Sequence, residues 1–216
     1  MRGHTSPRLI LTIILFGRLQ ENEIFFVPLM RFFLCLLYNS ILRHGIFYFI
    51  SHVKSKLMRK EIDYIVTTLR SVLEGEPWYG QSIMKLLQEI DPAIVYKKPN
   101  ANSHSLIELL YHMNTWAEFT LKRLEKDEEK DPASFEKLDW REIDPNEHTW
   151  EKGLAQFKVT HDLLIELLET KDDEFLSGEV DYREYNFRFL LHGIIQHDIY
   201  HIGQIAFLKK LLCREN

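Results

Sequence analysis

Beyond residue 57, apolar residues recur at helical spacing in four stretches. From Lys60 to Leu73, the positions Ile62, Ile65, Val66, Leu69, Val72 and Leu73 fall on one face. The sequence EGEPWYG at 74–80 interrupts that pattern with Gly and Pro, and Gln81–Ile90 resumes it, so the first helix reads as broken. The second stretch opens on Ser105 with Glu108 three residues on, the signature of a capping box. Leu106, Leu109, Leu110, Met113, Trp116, Ala117, Leu121 and Leu124 follow at helical spacing. Asp144-Pro145-Asn146-Glu147 predicts a third helix start, with Asp144 as N-cap, and Leu154, Phe157, His161, Leu164 and Leu168 form its inner stripe. Asn186 is a plausible cap for the last helix, Phe187–Leu212, which ends in Lys209-Lys210 at the negative end of its dipole. No alternating apolar run suggests a sheet. The pattern predicts an all-α fold, an antiparallel four-helix bundle with a broken first helix.

Composition divides the chain. Residues 1–57 carry seven Lys/Arg and two acids, and 24 of them are Phe, Ile or Leu, with no Ala, Asp or Trp. Residues 58–216 carry 20 Lys/Arg and 30 acids. Two domains are expected on that basis: an apolar, basic N-terminal extension over 1–57 and the bundle over 58–216. Three readings of the extension stand. It is a membrane anchor or interfacial helix, an amphipathic arm packed on the bundle, or not part of the natural protein, with Met58 as the expected start. The location expected for the bundle is cytoplasmic, or membrane-associated if the extension is real.

The formal net charge of −5 argues against a nucleic-acid partner. Two cysteines, Cys35 and Cys213, exclude a disulfide framework and a cysteine-based zinc module. No Gly-rich phosphate loop and no G-x-S-x-G is present.

Histidine carries the candidate chemistry. His197 and His201 form H-x-x-x-H within the last helix, and residues four apart share a face. They line up with Leu190, Ile194, Gln204 and Leu208, the face expected to point inward. Two inward imidazoles one turn apart are costly to desolvate without a shared purpose. His112, in the second helix, meets them if that helix is adjacent. Three histidines plus water would make an open site of the kind found in catalytic zinc centres, and one that also suits nickel or iron. His161 reads as pocket wall or core, with a fourth ligand as the alternative. His104 reads as a local residue and the Trp and Tyr residues as core.

Four segments then resemble one family in the right order. FRFLLHGIIQHDIYHIGQIAFLKK (Phe187–Lys210) resembles the last helix of DinB-like four-helix-bundle proteins of the DinB/YfiT-like superfamily. HSLIELLYHMNTW (His104–Trp116), EGEPWYGQSIMKLL (Glu74–Leu87) and DPNEHTWEKGL (Asp144–Leu154) resemble its second helix, its broken first helix and the entry to its third. The resemblance covers about residues 58–216. It implies a bundle that is often a homodimer and a divalent metal, nickel or zinc, on three histidines, which by position are His112, His197 and His201.

Characterised relatives include thiol S-transferases and a thiol-dependent isomerase, so the resemblance implies a small-molecule substrate and a low-molecular-weight thiol. The expected function is a metal-dependent enzyme of the thiol S-transferase or hydrolase type. His161, Tyr200 and Gln204 are the candidate supporting side chains. The alternatives are a non-enzymatic metal-binding bundle associated with stress, and a membrane-anchored version of the same domain.

Overall fold

The computed structural model describes residues 59–126 and 132–213. The N-terminal extension and Met58 lie outside the described residues. The elements are α1 (Lys60–Leu73), α2 (Ile83–Gln88), a 3-10 turn (Pro92–Ile94), α3 (Leu106–Glu125), α4 (Pro132–Lys137), α5 (Trp150–Glu169), a second 3-10 turn (Phe175–Ser177) and α6 (Phe187–Leu212). Among the described residues there is no strand, only an isolated bridge between Glu179 and Asn186. No described helix is long and apolar enough to cross a membrane.

Local chemistry sets the helix ends. Orphan N–H groups at a helix start need acceptors. At α1 the Asp173 carboxylate supplies them from across the chain, accepting from the N–H groups of Glu61 at 3.1 Å and Ile62 at 2.9 Å. At α3 the capping box forms: Ser105 Oγ accepts from Glu108 N, and Glu108 Oε2 accepts from Ser105 N at 2.7 Å. Asn186 caps α6 through a 3.0 Å bond from Phe189 N. The third helix starts later than expected, at Trp150 with Thr149 as its cap. Asp144 instead closes a separate turn, accepting from Asn146 N on its side chain and from Glu147 N and His148 N on its carbonyl. That turn satisfies its own backbone groups and ends before the helix begins.

The long helices form a bundle: α3 packs on α5 and α6, and α1 packs on the same two. The core is aliphatic and aromatic, with Ile62, Ile65, Leu110, Phe119, Phe157 and Ile205 almost without solvent contact. Fully burying such a side chain contributes about 1.5–3 kcal/mol. Gly153 sets the close approach of α5 to α3. A Cβ there would stand 2.8 Å from Leu110 Cδ2, and the Gly153 carbonyl accepts from Asn114 Nδ2 at 2.9 Å. The expectation that the Trp residues are core holds for Trp150 and fails for Trp78, which is fully exposed.

Candidate metal centre

Midway along α3, His112 points across the bundle at α6, where His197 and His201 stand one turn apart. The three rings meet through their Nε2 atoms. His112 Nε2 lies 3.0 Å from His201 Nε2 and 2.9 Å from His197 Nε2. His112 and His201 are buried, and His197 is half-buried. The cluster that the sequence spacing suggested is therefore assembled. Among the described residues it contains no fourth His, Cys or carboxylate.

The other ring nitrogens fix the tautomers. His112 Nδ1 faces two acceptors of one residue, the Asp139 carboxylate at 2.8 Å and the Asp139 carbonyl at 3.2 Å. His201 Nδ1 donates to Gln204 Oε1 at 2.7 Å. His197 Nδ1 is buried without a hydrogen-bond partner, 3.8 Å from the Asp198 carboxylate. Acceptors on the Nδ1 side place the proton there and leave the Nε2 lone pairs facing one another.

Protonation is disfavoured at His112 and His201. Burial, and after it the charge on His197, holds His112 below the ordinary imidazole range, against an opposing pull from Asp139. Burial, then His197, pushes His201 down to about 4. Three imidazoles whose Nε2 atoms converge are a donor set for a cation. Two nitrogens about 2.0–2.1 Å from one tetrahedral ion lie about 3.4 Å apart, and the two gaps from His112 Nε2, 3.0 and 2.9 Å, are within a few tenths of an ångström of that. The residues present fit a divalent ion.

His161 does not join the cluster. It is buried on α5, its Nδ1 donates to the Phe157 carbonyl at 2.8 Å, and its Nε2 meets Asp198 Oδ2 at 3.0 Å. Both side chains are 1% exposed. Burial alone pushes the Asp198 carboxyl up, but His161 and His197 together hold it below its usual value. A buried hydrogen-bonded pair thus joins α5 to α6 behind His197. Of the other expected supports, Gln204 orients His201, and the exposed Tyr200 ring sits edge-on to His201 at 4.9 Å.

The segment after α4 supplies what the sequence reading missed. Trp140 stacks on His112 at 4.0 Å between centroids and on His104 at 3.7 Å, so His104 is part of the site's surroundings rather than a purely local residue. Asp139 Oδ1 also accepts from Trp116 Nε1 at 2.6 Å, and Arg141 donates to Thr115 Oγ1 at 2.6 Å. These contacts strap the segment onto α3 beside His112.

Two cavities lie along the α3–α6 seam, one walled by His197 and the other by Gln204, which holds His201. One, of about 170 Å³, has His197 in its wall together with Trp116, Phe119, Phe189 and Gly193. The other, of about 350 Å³, is lined in part by Asn100, Ser103, His104 and Gln204.

The family model described as DinB superfamily matches residues 80–205, a span that takes in all three clustered histidines. No curated protein matches the chain.

Proposed function

The chain belongs to the DinB superfamily, and from that premise we propose a metal-dependent enzyme whose divalent ion, nickel or zinc, is held by the Nε2 atoms of His112, His197 and His201. The observation that carries the reading is the convergence of three Nε2 atoms, with acceptors on the Nδ1 side of His112 and His201. Imidazole donors without sulfur suit both metals. Three protein ligands and, among the described residues, no fourth leave room for a reactant, as catalytic sites do and closed structural sites do not.

A divalent ion there supplies Lewis acidity, which lowers the pKa of a thiol or water that reaches it. The chain's own residues hold the ligand rings. Asp139 and Gln204 fix the tautomer and tilt of His112 and His201, and Asp198 faces the Nδ1 side of His197. Trp140 covers one face of His112 and keeps water from it.

Thiol S-transfer is the reaction class we favour over hydrolysis, because two cavities lie along the α3–α6 seam, one walled by His197 and one by Gln204 beside His201, room for two reactants. The homodimer is part of this reading through the family resemblance. The test is turnover of a low-molecular-weight thiol with 1-chloro-2,4-dinitrobenzene by the nickel- or zinc-loaded full chain. The products are the thioether, chloride and a proton. Thiol-dependent turnover that disappears in the His197→Ala/His201→Ala double variant supports the reading. Equal turnover by the two proteins refutes it.

A further inference from the structure

The cavity of about 170 Å³ is apolar and built against the metal centre. It lies where α3 faces the first half of α6, with the rings of Trp116, Phe119, Tyr185 and Phe189 around it and His197 in its wall. No Asp, Glu, Lys or Arg lines it. Two of its polar groups are committed elsewhere: Trp116 Nε1 donates to Asp139, and Thr120 Oγ1 to the Trp116 carbonyl at 2.8 Å. A charged group placed here would lose hydration and meet no ionised Asp, Glu, Lys or Arg side chain in the wall, whereas an apolar ring would meet aromatic faces.

Size narrows the occupant. A cavity of about 150 Å³ with aliphatic and aromatic walls accommodates benzene, so about 170 Å³ suits one benzene-sized ring or a branched alkyl group of similar bulk. Access agrees. The His197 side chain is 24% exposed, while that of His112 is 7% exposed. The cavity therefore adjoins the one clustered imidazole that solvent reaches. Its Trp116 wall is rigidly indexed to the cluster, since Asp139 Oδ1 accepts from both Trp116 Nε1 and His112 Nδ1.

We infer that this cavity holds an uncharged aryl or branched-alkyl group of the substrate, with the substrate's reacting atom directed at the metal centre. The inference rests on the proposed metal-dependent reading for the second half of that statement and on the cavity alone for the first. Gly193 offers the perturbation. An added Cβ there meets nothing within 4 Å, and the residue lines the cavity. A leucine would project into the cavity from a position with room for its Cβ, and it improves the helix propensity of α6.

Two arms test the inference on the full chain. In the first, acetohydroxamate and benzohydroxamate are titrated calorimetrically into nickel-loaded protein. Both carry the same metal-chelating group, and only the second carries a ring. The ring is expected to tighten binding at least about tenfold. That advantage is expected to vanish in Gly193→Leu, with acetohydroxamate binding unchanged. Equal affinity of the two probes, or an advantage that survives the substitution, overturns the inference. In the second arm, the fluorine resonance of fluorobenzene is followed with metal-free protein. Broadening that the wild-type chain causes and Gly193→Leu does not supports the apolar seat, and its absence overturns the seat. Broadening here, together with a failure of the chain to retain nickel when loaded for the first arm, would leave the seat standing and sink the metal reading.

Discussion

Asp198→Leu tests the buried pair behind His197 and has a magnitude that follows from the geometry. Asp198 Oδ2 and His161 Nε2 are 3.0 Å apart, and both side chains are 1% exposed. Removing one partner of such a pair leaves the other buried and unmatched, at a cost of about 3–5 kcal/mol. Asp198→Leu and His161→Leu should each destabilise the metal-free chain by that amount in urea unfolding at pH 7. The double variant leaves nothing unmatched, so its loss should fall short of the sum by about 2 kcal/mol or more. Additivity to within about 0.5 kcal/mol would refute the reasoning. In the loaded protein, Asp198→Leu should also weaken metal binding about 10- to 100-fold, because the carboxylate facing the Nδ1 side of His197 at 3.8 Å is removed.

Two further predictions follow from the same site. His201 is pushed down to about 4 in the folded chain and titrates near 6.5 when unfolded. Above pH 6.5 both states are neutral. As pH falls from 6.5 toward 4 the unfolded chain takes up a proton that the folded one refuses, so metal-free stability should fall by up to about 3 kcal/mol, and His201→Gln should flatten that part of a urea-midpoint-against-pH profile. Trp140 stacks directly on His112, so nickel should quench tryptophan fluorescence in the wild type, and Trp140→Phe should lose most of that response; unchanged quenching would contradict the stacking.

What could be read from the sequence was what local chemistry encodes. The Ser105/Glu108 box and the Asn186 cap each lie within four residues, and both form. Asp144 misled because an Asp-Pro-Asn turn and a helix start share the same residues, and here the turn closes on itself before Thr149 takes the cap. The clustered histidines were legible because helical periodicity places 197 and 201 on one face. Asp198 carried a signal that went unused: it is an acid at a core position one turn beyond Ile194, and the structure gives it a buried partner in His161. Asp139 and Trp140 carried none. They belong to an irregular segment more than twenty residues from His112, and only the folded chain brings them onto its ring.

The central claim is that three imidazoles hold one divalent ion, and metal analysis of the full chain tests it most directly. Protein purified without chelator, then dialysed against nickel or zinc and freed of excess, is measured by mass spectrometry for metal per chain. About one ion per chain in the wild type, and none retained by His112→Ala or by His197→Ala/His201→Ala, is the result the account predicts. Retention of the ion by the double variant at the wild-type level, or no ion in the wild-type chain, would contradict it.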